Sequence, residues 1–212
     1  MLRALLCLFL IVLPFQAAAP APKAVSLRAA TWDVWLPGIR LYDQADGSLM
    51  IHIPRHENAN SLGYLTHRCP VASMLGRTVV VELEIVTRNP PVIFRYDTEP
   101  ENSYHPNWNP ANVRPVIRCE MPSPDDRWWA ASAPGQWYIL APGSATLIVP
   151  IEPRLWVNVV GQAGNTRPAQ FRAAMQRPRQ VGVTFGGGLF FGHGVDVSGG
   201  HGDFILRRYE VR

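Results

Sequence analysis

The clearest pattern in the chain is the alternation over Thr78–Thr87, TVVVELEIVT. Val79, Val81, Leu83 and Ile85 fall on one side of it, and Val80, Glu82, Glu84 and Val86 on the other. A period of two with one wet face predicts a half-buried antiparallel strand. Shorter runs of strand character occupy most of the rest. They are Trp32–Tyr42, broken by Pro37-Gly38; Ser48–Ile53, after an Asp46-Gly47 turn; Leu62–Thr66; Val92–Tyr96, beyond Pro90-Pro91; and Asn112–Glu120. Further along come a strand opening at Trp128-Trp129, the pair Gln136–Ala141 and Ala145–Ile151, Leu155–Gly161, Gln180–Phe185 and Asp203–Val211. The pair is expected to form a hairpin about Pro142-Gly143. Only Pro168–Gln176, with proline in its first turn, reads as helix. Short strands with frequent turn signals predict an all-β fold, an antiparallel jelly-roll sandwich with one short helix.

The first residues break this pattern. Met1-Leu2-Arg3 supplies a positive start, Ala4–Phe15 is apolar, and Ala17, Ala18 and Ala19 are small. That order is a secretory signal peptide, with cleavage placed between Ala18 and Ala24. An uncleaved anchor is the alternative, but the run is short against the roughly 20 residues a membrane span needs. Residues 1–24 are therefore read as signal and tether, and 25–212 as a single domain. The expected location is secreted or periplasmic, with no integral span after cleavage.

Composition narrows the class. Charged residues make up 17 %, prolines number 20, tryptophans 7, and 47 % of the chain is hydrophobic, which excludes a disordered chain. The formal net charge of +4 falls to +3 once Arg3 leaves. That excess is too scattered to predict nucleic-acid binding, which needs a clustered basic face. Nearly all of it is arginine, since Lys23 is the single lysine. Arginine suits bidentate recognition of carboxylates, so an acidic sugar is among the ligands the chain fits. Cys7 leaves with the signal, and Cys69 and Cys119 remain as an even pair. In an oxidising compartment they are expected to form a disulfide, worth roughly 4 kcal/mol for a loop of about fifty residues. Two buried free thiols are the alternative.

The layout from Ser48 to Arg212 resembles the galactose-binding-domain-like jelly rolls, a superfamily that includes many carbohydrate-binding modules. The pieces that carry the likeness are Thr78–Thr87, the segment around Leu155 and Trp156, the short helix leading into Val181–Phe185, and the closing FILRRYEV. The resemblance implies a noncatalytic sugar binder. Such modules are commonly appended to enzymes, whereas here the domain follows a signal peptide directly.

Gly186–Gly202 contains eight glycines, with His193 and His201 set among them. It lacks the spacing and lysine of a phosphate loop and the order of a dinucleotide fingerprint. It is read instead as turns or bulges about a strand Leu189–Val197, with Phe191, His193, Val195 and Val197 on one face and Phe190 on the other. His193, Asp196, His201 and Asp203 are weighed as metal ligands that would have to converge across a turn. His52 and His56 are four apart, but Pro54 removes the helical geometry that zinc helices use. Glu82 and Glu84 share a strand face at a separation a glycosidase allows, although a solvated face gives the same pattern. No motif implies a cofactor, and a structural calcium is the one alternative left open.

Aromatics in polar, proline-rich connections are the stronger lead. Tyr104, Trp108, Trp128, Trp129, Trp137 and Tyr138 offer ring faces on which sugars stack, with Arg95, Arg118 and Arg127 near in sequence for polar contacts. Adjacent side chains in a strand alternate, so one ring of Trp128-Trp129 must face out. Trp32, Trp35 and Trp156 are assigned to the core. The expected function is noncatalytic binding of a carbohydrate such as a cell-envelope or exopolysaccharide chain. The alternatives are a polysaccharide-acting enzyme, using Glu82 and Glu84 or a histidine cluster, and an envelope assembly protein whose exposed aromatics meet a protein partner.

Overall fold

The computed structural model of the protein describes residues 21–35, 38–55, 61–96, 111–187 and 190–212. The residues before Ala21, read above as a signal peptide, and Tyr104 and Trp108 lie outside them. The strands in chain order are β1 (Lys23–Ala24), β2 (Trp32–Val34), β3 (Leu41–Asp43), β4 (Leu49–His52), β5 (Tyr64–Arg68), β6 (Thr78–Tyr96) and β7 (Ala111–Cys119). They continue as β8 (Trp128–Ala131), β9 (Tyr138–Ile139), β10 (Gly143–Pro150), β11 (Trp156–Asn158), β12 (Pro178–Gly187), β13 (Phe190–Phe191) and β14 (Val195–Val211). Among the described residues the one α-helix is α1 (Pro168–Met175).

Two antiparallel sheets pack into the predicted all-β sandwich. The first has the order β10-β6-β14-β4-β3, with β1 added to β14; the second has the order β11-β8-β7-β12-β5-β2, with β13 on β12 and β9 on β7. The alternation of β6 sets the first sheet's inner face, where Val79, Val81, Leu83 and Ile85 are buried against a core that spans both sheets. Trp129, Trp156, Phe171, Phe185, Phe204 and Tyr209 are the large side chains of that core. Each polar handle on these core rings finds a partner. Trp129 Nε1 donates to Asp126 O at 2.8 Å, Trp156 Nε1 to Pro150 O at 2.8 Å, and the Tyr209 hydroxyl crosses between sheets to Gly182 O at 3.2 Å. An unpaired donor there would cost about 1–3 kcal/mol. Helix α1 packs Phe171 edge-on against Trp129, with ring centroids 5.1 Å apart.

Four expectations need correction. Residues 78–96 form one strand rather than two, because the prolines sit where pairing lapses: β14 opposes Arg88 with His201 and Val92 with Gly199. Proline has no N–H to give a ladder, so it is tolerated at such an irregularity. A Cβ on Gly200 would strike the carbonyl oxygens of Asn89 and Arg88, so part of the glycine-rich stretch serves close backbone approach. Second, Gln136–Ala141 and Ala145–Ile151 are not a hairpin. β9 pairs with β7 in the second sheet and β10 with β6 in the first, so the chain changes sheet at Pro142-Gly143. Third, Leu189–Val197 is not one strand: β13 ends at Phe191 and β14 begins at Val195.

The fourth concerns the cysteines. Cys69 and Cys119 are free thiols. Cys119 lies opposite Pro178 on one side of β12, and the Cys69 amide bonds Arg179 O on the other side at 2.9 Å. A strand thus intervenes, and two strand spacings come to roughly 9.5 Å, beyond the Cα separation a disulfide spans. Burial pushes both thiols up from their usual value, that of Cys119 far up.

Candidate functional site

The outer face of the second sheet carries an aromatic cluster. Strand parity puts Trp129 wholly inside and its neighbour Trp128 outside, half-buried. On the outer face Trp128 meets Tyr64 of β5, with ring centroids 4.6 Å apart at 38°, and Trp35, at 5.5 Å and 90°. Trp35 also contacts Tyr64 at 5.5 Å. Tyr64 and Trp128 stand on a layer of small apolar side chains, Val116, Ala130 and Val157, with Ala163 alongside. Trp35 is 50 % exposed, so it is not the core residue expected from the sequence. Burial pushes the Tyr64 phenol up to about 12, against a hydrogen bond with Thr184 that lowers it. At neutral pH that phenol keeps its proton as a donor.

Arginine and amide groups border the rings. The Arg118 guanidinium lies over the Trp128 ring, with Cζ 5.4 Å from its centroid. Arg118 Nη1 donates to Gln180 Oε1 at 3.1 Å, and Gln180 Nε2 donates to Asp33 Oδ2 at 3.1 Å. This relay fixes the guanidinium plane over the indole, a cation–π arrangement. On one side the cluster opens to a cleft of about 440 Å³ formed by Trp35, Ser61, Tyr64, Val159 and His193. On the other, Arg118 leads into a groove of about 730 Å³ shared with Arg127, Arg177 and Arg179. The loop that bears Arg127 is anchored from below. Asp126 is buried and accepts from Asn158 Nδ2 at 3.2 Å and Arg167 Nη2 at 3.1 Å.

Of the residues expected from sequence, Trp128, Arg118 and Arg127 come together here. Trp129 belongs to the core. Trp137 is stacked by buried Arg114, whose Cζ lies 5.7 Å from the ring. Burial lowers the Arg114 guanidinium to about 10. Tyr138 packs on the core and donates to Ala141 O at 3.0 Å. Arg95 stands on β6 of the other sheet, opposite Asp196. Trp35, Tyr64, Arg177 and Arg179 were missed. Parity offered a signal for the first: Trp32 and Trp35 are three apart, so a strand that buries one exposes the other.

The first sheet has its own polar cluster. His52 Nδ1 and Asp203 Oδ1 are 2.6 Å apart, Arg88 pairs with the other Asp203 oxygen, and the Tyr42 ring lies 4.9 Å from the imidazole. Burial alone would raise the Asp203 carboxyl, but bonds from His52 and Arg88 outweigh it and hold it below its usual value. The cluster borders a cleft of about 570 Å³ with Arg55 and His201. Among the described residues no group of three or more His, Cys, Asp or Glu could hold a metal ion. His193 lines the cleft beside Trp35 while His201 lines this one, so the two histidines serve different places. Glu82 and Glu84, the carboxylates weighed for glycoside hydrolysis, are ion-paired to Arg208 and Arg207 respectively. No helix among the described residues is long and apolar enough to cross a membrane. Comparison with family models, with curated proteins and with solved structures finds no match to this chain.

Proposed function

We propose that the protein is an exported, noncatalytic carbohydrate-binding protein whose ligand lies across the Trp35–Tyr64–Trp128 cluster. The observation behind this reading is that set of mutually touching rings, one of them half exposed, with a guanidinium fixed over another. Sugar rings present flat C–H faces that pack on such aromatics, and nearby amide and guanidinium donors meet the hydroxyls. A rigid sheet face holds the platform in place without the ordering cost of a mobile loop. The signal-peptide pattern of the first residues supports export, and the resemblance to sugar-binding jelly rolls agrees with the ligand class. Affinity electrophoresis against a polysaccharide panel tests the proposal. Wild type should be retarded by at least one polymer and Trp128→Ala should not; equal migration of the two in every gel would sink it.

A second reading rests on His52. An imidazole held through Nδ1 by a buried carboxylate, beside a cleft, is the arrangement of a general base. It favours a polysaccharide-acting enzyme over the glutamate pair weighed from sequence. Release of reducing ends, abolished in His52→Ala, would support it; no release by wild type from any polymer in the panel would remove it.

A further inference from the structure

We infer that the ligand of the aromatic face is an acidic polysaccharide of the polyuronate type, and that the arginine groove beside Trp128 reads its carboxylates. The inference rests on the carbohydrate reading above and names the ligand class. Four guanidiniums, those of Arg118, Arg127, Arg177 and Arg179, line the groove against the single carboxylate of Glu120. That leaves a local excess of positive charge comparable to the formal charge of the whole chain.

Local structure brings these arginines together from three segments. Arg118 is the penultimate residue of β7 and pairs in register with Gln180 of β12, the Glu120 amide bonds Arg177 O at 2.9 Å, and Arg127 sits just before β8. The groups are unevenly committed. Arg127 donates through Nε to Met121 O at 3.0 Å and through Nη2 to Pro122 O at 3.3 Å, which fixes its plane and leaves Nη1 for a ligand. Arg179 pairs with Glu120, but both partners are more than 60 % exposed, and such a pair is worth only about 0–1 kcal/mol. An incoming carboxylate can take that guanidinium at little cost. Among the described residues Arg177 forms no ion pair, and it is exposed.

Carboxylate chemistry follows from the guanidinium fork, which accepts a planar anion through two parallel bonds where an ammonium offers one point charge. The groove contains no lysine. A sugar seated on Trp128 would place the acid groups of its neighbours toward Arg118 and onward into the groove, because Arg118 belongs to both. A clustered basic groove also attracts the phosphates of nucleic acid, so single-stranded DNA is the competitor the test must include.

The test is affinity electrophoresis of the full chain in gels containing polygalacturonate, alginate, a neutral galactomannan or no polymer, with single-stranded DNA titrated separately. Wild type should be retarded most by a polyuronate. Arg177→Gln/Arg179→Gln should lose about tenfold in that affinity with the urea midpoint unchanged, and should lose less of any galactomannan retardation. Trp128→Ala should weaken both kinds of retardation. Polyuronate binding that survives the double arginine variant would overturn the inference, as would DNA bound as tightly as polyuronate. Trp128-dependent retardation by galactomannan alone would leave the carbohydrate reading standing and remove this one. No retardation by any polymer would remove both.

Discussion

Trp128 and Trp129 differ by one position and by everything that follows from strand parity. Trp129→Ala deletes a ring with no exposed surface and leaves a cavity beneath Phe171, at an expected cost of about 3–5 kcal/mol in urea unfolding. Trp128→Ala should cost clearly less, because its ring already meets solvent, and its main effect should be on polysaccharide retention. A larger stability loss for Trp128→Ala than for Trp129→Ala would contradict the assignment of faces. Asp203 supplies a second check at this scale. Its folded carboxyl is held below the usual value, so it contributes stability at neutral pH that disappears as pH falls through the folded value. Asp203→Asn should therefore be less stable than wild type at pH 7, with the gap narrowing below pH 4 in an acid-unfolding series. Residue identity in the chain announced the alternation behind the first pair of predictions. The His52–Asp203 contact was not legible in the same way, since 151 positions separate the two and only strand register joins them.

At the level of elements, periodicity located strands better than it located their partners. The inward set of β6 reads directly from TVVVELEIVT, and α1 begins at the proline that signalled it. What alternation cannot specify is which strand lies alongside. The segment around Pro142-Gly143 looks like a hairpin locally and is a crossover between sheets, and β12 lies between two cysteines that arithmetic alone would join. The outer aromatic face was half legible for the same reason: Trp128 followed from parity, while Tyr64 and Trp35 join it only once β5, β2 and β8 share a sheet. Two measurements bear on these elements. Cys69 and Cys119 should resist thiol reagents in the native state and react on unfolding, as peptide mapping would show, and reductant should leave the unfolding midpoint unchanged. A midpoint that drops with reductant would mean the thiols do pair. Gly194 holds a φ of 95°, and a Cβ there would meet Ser61, so Gly194→Ala should lower the urea midpoint. A stable but binding-deficient Gly194→Ala would show that this turn serves the ligand rather than the fold.

Across the whole molecule, the position of β14 has a consequence in time. This strand lies between β6 and β4 in the first sheet, so its partners there are made about a hundred residues or more before it. Contacts between such distant segments form slowly, because the intervening chain must be closed before any pairing rewards it. Until Val211 has left the ribosome, β6 and β4 lack the neighbour that joins them, and the core lacks Phe204, Leu206 and Tyr209. The first sheet therefore stays open until β14 has been made. That late closure suits the export proposed above, because a secretory channel threads an unfolded chain. A version ending at Gly202 should show no cooperative unfolding transition and should remain protease-sensitive, whereas a folded, protected product would mean the first sheet can close without its central strand.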